Sequence, residues 1–390
     1  MFFVDKPYVS DFFKRTVRDN NIPVVETASA KQMDLYDRTQ LISESCAIEM
    51  VREGKNIPIY TTSENAIGWI SENLSFCDLP EKIELFKNKL KFRQLTKPIF
   101  PDFYFRGVNI NELKDIQFDE LPLPFIIKPS IGFMSMGVYK VTNYKEWNGV
   151  IASITAEIDQ VKGLYPDSVL DTSSFIIEQC INGEEFAVDV YYNSVGEAVV
   201  LGILKHVFSS GSDVSDRVYV SSKDIIEKNL TEFTEFAERI GRLAEVNNFP
   251  VHIELRKDSD GTVLPIEVNP MRFGGWCTTA DISFLAYGFN PYLYYYQQKK
   301  PDWSQLLQGK EGVLYSIVVL DNSTGIAIDK IISFDYDKLL STFSKPLELR
   351  KIDFQQYPVF GFLFTETAED NFTELQNILD SDLKEYITIK

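Results

Sequence analysis

Basic residues are scarce in this chain: 39 lysines and arginines face 57 aspartates and glutamates, for a net charge of -18. Such a surface argues against nucleic acid or an anionic membrane as a partner. Any anion site must therefore gather its few cations locally. Histidine is scarcer still, only His206 and His252, and no convincing Ser-His-Asp order can be drawn from them. The four cysteines, Cys46, Cys77, Cys180 and Cys277, form no CxxC pair and no zinc spacing. They read as free thiols of a reducing compartment, and none has the basic neighbourhood of a catalytic thiolate. No apolar run reaches the length of a membrane span. The opening MFFVDKPYV carries an acid at its fifth position and no long apolar core, so it is no signal peptide and a cytoplasmic location is expected. No GxGxxG marks a dinucleotide site, and no GK[ST] closes a P-loop. There is no internal repeat and no low-complexity segment.

What remains is an ordinary globular composition, 44% hydrophobic and 25% charged over 390 residues, enough for two or three domains. The organising stretch is PVHIELRKDSDGTVLPIEVNPMRFGG, residues 250–275. Two alternating runs flank a turn signal at Asp258-Ser259-Asp260-Gly261, which predicts a hairpin. His252, Glu254 and Arg256 share one face of the first run, and Glu267 and Asn269 one face of the second. Pro265 and Pro270 bracket the second run. Two carboxylates and an amide thus converge, a ligand set that suits Mg²⁺; a solvated hairpin would use the same residues. Upstream, LPFIIK ends an apolar strand on Lys128, PSIGFMSMG follows, and VYKVTN resumes as a strand. A lysine opening such a loop is a plausible phosphate clamp, though a snorkelling lysine at a strand end is the commoner case.

Alternating strands and helices over residues 1–85 predict a small parallel-sheet domain, with one helix spanning about 31–52 and Ser63 capping the next. Residues 81–97 read as one cationic helix. FIIEQCI, FAVDVYYN and AVVLGILKHVF are strands, and a helix is expected from about 230 to 247. Residues 301–390 read as a separate small α+β lobe.

Taken together, Lys128-Pro129…Gly132…Ser135…Gly137-Val138, then Glu178…Gly183-Glu184-Glu185, then His252-x-Glu254 and Glu267-x-Asn269-Pro270 resemble the ATP-grasp superfamily. Within it they look most like carboxylate–amine ligases, especially the L-amino acid (dipeptide) ligases. The resemblance implies an α/β fold, α+β in parts. It divides into a pre-ATP-grasp domain (1–85), an ATP-grasp domain (86–300, with a lid at about 98–180 over a central antiparallel sheet) and the C-terminal lobe. It implies ATP and Mg²⁺ as cofactors, with Mn²⁺ as an alternative ion, and small-molecule substrates, amino acids first. A homodimer is the default assembly.

The same resemblance assigns roles. Lys128 holds the α- and β-phosphates beside Ser135 of the loop, and Lys89 resembles an earlier family lysine, with Lys87 and Lys91 as competitors. Glu178, Gln179, Cys180 and Ile181 form the hinge that meets adenine. Glu185, or Glu184, receives the ribose hydroxyls. Glu254, Glu267 and Asn269 are the metal ligands, and Arg272 steadies the γ-phosphate or acyl phosphate. Arg256 does the same or pairs with an acid, and His252 either packs in the hairpin or meets substrate. The implied reaction joins a carboxylate to an amine through an acyl phosphate. Two alternatives stay open: a ligase or carboxylase acting on another small molecule, and a nucleotide-binding protein without turnover.

Overall fold

The computed structural model describes residues 1–54, 57–132, 137–161, 173–210 and 215–390. Four short strands open the chain: β1 (Phe2–Phe3), β2 (Val24–Val25), β3 (Leu41–Ile42) and β4 (Tyr60–Thr61), in the order β3-β2-β1-β4. All their pairings are parallel, as the alternation of strand and helix predicts. The helices here are α1 (Asp11–Asp19), α2 (Glu44–Arg52) and α3 (Ile67–Asn73). The long helix expected over 31–52 is corrected. Leu41–Ile42 is a strand, and the helix starts only at Glu44, where the Ser43 hydroxyl accepts from the Cys46 amide. Apolar spacing through 35–50 fits both readings; the cap decides.

The cationic run 81–97 is also not one helix. α4 (Leu79–Lys87) stops at Asn88, and α5 (Lys89–Thr96) begins there. The Asn88 side chain accepts from the amides of Leu90 and Lys91, 3.1 Å each. This cap breaks the helix between Lys87 and Lys89 and turns both lysines inward.

A four-stranded antiparallel sheet follows: β5 (Phe105–Asn109), β6 (Phe125–Pro129), β7 (Tyr139–Val141) and β8 (Ser174–Gln179), with α6 (Tyr144–Val161) between β7 and β8. It has its own core around Phe125, Trp147, Ile154 and Ile177. Ser135 and the middle of the glycine-serine loop lie outside the described residues.

The rest is organised by one eight-stranded antiparallel sheet. Its members are β9 (Glu184–Tyr192), β10 (Ala198–Val207), β11 (Val218–Ser221), β12 (Phe249–Lys257), β13 (Val263–Pro270), β14 (Val313–Asp321), β16 (Pro346–Lys351) and β17 (Val359–Ala368). The short β15 (Ile331–Phe334) and β18 (Ile387–Ile389) pair separately. The sheet order is β13-β12-β9-β10-β11-β14-β17-β16. Helices α7 (Lys223–Ala244) and α8 (Thr278–Tyr287) pack on β10. Residues 301–390, expected as a separate lobe, therefore supply three strands to the sheet that carries the central hairpin. They still own a second apolar cluster around Leu339, Phe360 and Leu375.

Candidate active site

The hairpin forms as its turn chemistry predicts: Gly261 takes φ +87 and its amide donates to the Asp258 carbonyl, 3.0 Å. The register puts Glu254 opposite Glu267 and His252 opposite Asn269. It then shifts between Glu254 and Leu255, which faces Pro265. Ile266 is thus an extra residue on the edge strand β13, a bulge beside the two carboxylates. Pro265 lies inside this strand and does not start it, tolerated because the strand is an edge.

The bulge leaves two carbonyls to satisfy, and a buried arginine takes them. Arg93 of α5 donates to the Pro265 carbonyl (2.7 Å) and to that of Ile266 (3.3 Å). Its Nε donates to Glu178 Oε2 at 2.7 Å, and Lys128 Nζ reaches Glu178 Oε1 at 2.6 Å. All three side chains are buried. Burial pulls the Lys128 ammonium below its ordinary pKa despite the Glu178 charge. For Glu178 burial acts upward, but Arg93 and Lys128 outweigh it and hold the carboxyl at about 2. Lys128 thus ends its strand buried, with the Glu178 side chain as its counter-ion.

The helix break places the next cation. Lys89 Nζ lies 2.9 Å from Glu267 Oε2 and 3.4 Å from the Gly132 carbonyl. Lys91 pairs outside with Glu84, and Lys87 turns to Glu64 at 3.1 Å. Among the three lysines, then, Lys89 meets the metal-type carboxylate. Burial pushes the Glu267 pKa up, but Lys89 and Lys128 outweigh it and keep this carboxylate ionised. Among the described residues no lysine pairs with Glu254, and the pull of Arg272 on it is outweighed. Burial and the neighbouring charge of Glu267 push its pKa well above the carboxylate range.

This asymmetric pair fits a divalent ion. A cation between the strands would offset the burial and the repulsion from Glu267 that raise the Glu254 pKa. Asn269 donates Nδ2 to Glu267 (3.2 Å) and Glu254 (3.5 Å), and a half-turn of the amide would present its oxygen instead. Among the described residues no group of three or more His, Cys, Asp or Glu side chains is arranged for a metal; an ion here would have two carboxylates and the amide to bind.

Arg272 follows directly. Its Nη2 and Nε approach Glu64 Oε1 at 2.6 and 3.2 Å, and Nη1 donates to the Phe273 carbonyl at 3.0 Å. Glu64 comes from the N-terminal unit, on a one-turn 3₁₀ helix after β4 capped by Ser63. Burial would raise its pKa, but Arg272 and Lys87 outweigh that and hold it at about 2.

Glu64 and Glu178 both sit far below the ordinary carboxylate value near 4.5. Their contribution is present above that value and is lost as pH falls toward 2. Urea unfolding of the parent should therefore lose about 2 kcal/mol more stability between pH 5 and pH 3 than Glu64→Gln loses. Equal losses would remove Glu64 as an ionised partner of Arg272.

The other expected residues sit at the hinge side. Glu185 Oε1 meets His206 Nδ1 at 2.9 Å, and Oε2 meets Arg256 Nη2 at 2.9 Å. Arg256 also donates to the Ile181 carbonyl, 2.8 Å. Arg256 is thus tied to Glu185 and the hinge, apart from Arg272. Exposed Glu184 pairs with Lys205. In the hinge the Gln179 and Cys180 amides donate to the Tyr104 and Pro124 carbonyls. His252 is buried; its Nδ1 meets Asp189 Oδ1 at 2.7 Å and its Nε2 lies 3.9 Å from Glu254. Asp189 also accepts from the Gly274 amide at 3.1 Å and from the Thr279 hydroxyl. Trp276, four residues past Arg272, packs against Tyr357 and Phe362. Phe284 stacks on Phe12 at the surface, and Tyr287 packs against Trp303 and Tyr315.

Sequence reading missed Glu64, Arg93 and Asp189. Each acts on a residue distant in the chain, and none stands in a motif. Only Asn88 carried a local signal, a capping residue inside a helical run.

Residues 121–280 match the ATP-grasp domain family, a span that holds Lys128, Glu178, Glu254, Glu267, Asn269 and Arg272. No curated protein sequence matches the chain. Among solved structures, an L-amino acid ligase from Bacillus licheniformis superposes with a TM-score of 0.69 at 19% identity, covering 100% of this chain and 98% of that one. A biotin carboxylase from Campylobacter jejuni gives 0.64 at 13%, with 100% and 92% covered. An N5-carboxyaminoimidazole ribonucleotide synthetase from Thermotoga maritima gives 0.62 at 15%, with 100% and 98% covered. At these identities the likeness is one of fold.

Proposed function

We propose that this chain, an ATP-grasp ligase by domain and fold, joins the carboxylate of one L-amino acid to the amine of another, with ADP and phosphate as the other products. The observation that carries the reading is the direct pairing of Glu254 with Glu267 beside Asn269, faced by Lys89 and Lys128. That arrangement suits a metal-bound triphosphate. Mg²⁺, held by Glu254, Glu267 and Asn269, would neutralise phosphate oxygens when bound.

Side chains do little covalent work in phosphoryl transfer; they place charges. Lys128 and Lys89, at the mouth of the glycine-serine loop, would hold the phosphate chain. Arg272 would face the carboxylate being phosphorylated and then the oxyanion formed when the amine attacks. The Gly274 amide is occupied by Asp189, which leaves Arg272 and the exposed Gly275 segment as the donors. Glu185, braced by His206 and Arg256, would receive the ribose.

The amino-acid substrate class is supported by the residue pattern around Lys128 and by the aromatic surface beyond Arg272, where Trp276 packs against Tyr357 and Phe362. The test is phosphate release from Mg·ATP with pooled L-amino acids, followed by mass spectrometry. Amino-acid-dependent release with a product mass of two amino acids less water is expected. ATP binding without such release would keep the fold and reject the substrate class.

A further inference from the structure

The segment that carries Arg272 ends in an unusual backbone. Trp276 (φ 57, ψ 24) and Cys277 (φ 59, ψ 20) are consecutive left-handed residues, and neither is glycine. Met271, just before Arg272, is a third, at φ 65. Side chains rarely take this region, and where they do the surroundings hold them in it. The Met271 end is held by the N-terminal unit: its carbonyl accepts from the Thr61 amide at 2.8 Å and the Thr61 hydroxyl at 3.3 Å. The middle is held by Asp189 and Thr279 through the Gly274 amide.

The far end is held from the C-terminal unit. Arg350 of β16 points Nη1 at the carbonyls of Trp276 (3.4 Å) and Cys277 (3.5 Å). Its Nη2 bonds Asp281 Oδ2 at 2.5 Å and its Nε bonds Glu348 Oε1 at 2.6 Å. Asp281 is fixed in turn by the Tyr292 hydroxyl, 2.8 Å. Arg350 and Asp281 are 5% and 1% exposed, so water does not compete for these bonds.

We propose that Arg350 is a positioning residue for the cleft: its guanidinium fork, anchored on Asp281, latches the left-handed Trp276–Cys277 turn and thereby aims Arg272 and the Gly275 segment. It would act through the turn, not on the reacting atoms. It gives the C-terminal unit a task in turnover, and in its catalytic part it rests on the ligase reading above.

Arg350→Lys keeps a cation for Asp281 but lacks the fork that reaches the two carbonyls as well. Turnover of amino-acid-dependent phosphate release should fall on the order of 10²-fold, with KM for ATP within about threefold of the parent. Adding Cys277→Gly, which accepts the left-handed backbone without a Cβ penalty, should recover about tenfold of that loss. Amide hydrogen exchange over 270–278 should speed up in Arg350→Lys and slow again in the double variant. If Arg350→Lys fails to fold, Cys277→Val strains the same turn with Arg350 intact and should give the same loss and the same faster exchange.

Unchanged turnover in Arg350→Lys overturns the proposal, and so does a loss that Cys277→Gly does not recover. If the parent shows no amino-acid-dependent release while exchange still responds to Arg350→Lys, the latch stands and the ligase reading falls.

Discussion

Replacing Arg272 with lysine is expected to slow amino-acid-dependent phosphate release by about 10²–10³-fold, with Mg·ATP affinity changed by less than about threefold. The native guanidinium spends two nitrogens on Glu64 Oε1 and one on the Phe273 carbonyl. That grip fixes its plane, and under the proposed mechanism the rest of the fork serves the reacting groups. A lysine ammonium is a point charge on a flexible stem. Glu64, already in contact with Lys87, would capture it and draw it away from the oxyanion. In the proposed arrangement Lys89, Lys128 and the metal carry most of the ground-state binding of the nucleotide, so the loss should fall on kcat. Steady-state phosphate release gives kcat, and thermal stabilisation by Mg·ATP gives affinity. A kcat within threefold of the parent would remove Arg272 from the chemistry.

Glu267→Gln should be the more damaging change. Gln is nearly isosteric and keeps a hydrogen-bonding oxygen for Lys89, but the charge goes. With it go the charge proposed to hold the metal and the counter-ion of Lys89, while Glu254 loses its like-charged neighbour. Turnover should drop by on the order of 10³-fold, and thermal stabilisation by ATP should lose its dependence on Mg²⁺. The apo protein should keep its fold, because no bond of the Arg93–Glu178–Lys128 cluster is touched, but should unfold at a lower denaturant concentration, because Lys89 loses its counter-ion. An unaltered Mg²⁺ titration would place the ion elsewhere.

The hairpin and its convergent acids were legible because period-two alternation and a glycine turn are local properties. Residues three to fifteen apart fix them. Lys128 was legible for the same reason, as the charged end of an apolar strand. The partners were not. Glu178 stood in the sequence as part of an adenine hinge, yet its side chain is committed to Lys128 and Arg93, and the latter is 85 residues away. Glu64 lies 208 residues from Arg272. No periodicity encodes such distances; they follow from packing one unit on another. The bulge at Ile266 was invisible too, since an extra residue on an edge strand leaves alternation intact on either side. The error over 31–52 came from counting apolar positions across a cap: Leu41 and Ile42 fit a helix face as well as a strand, until Ser43 is read as the start.

The eight-stranded sheet has a bearing on where this protein can be cut. The family-matching span stops at residue 280, and a minimal piece drawn around the motifs would end near it. Such a piece would strip β14 from β11, whose Val218–Ser221 are all paired to it. It would leave a row of open amides and carbonyls on a short valine-rich edge, the kind that recruits other chains. It would also break up the apolar cluster that holds Ile226 together with Tyr315, Ile317 and Phe364. The smallest stretch that carries the chemistry is thus shorter than the smallest stretch that stays in solution. Tags or fused domains belong at its exposed C-terminal end, not at the motif's border, because the Met1 amine is buried and donates to the Pro58 carbonyl at 2.7 Å.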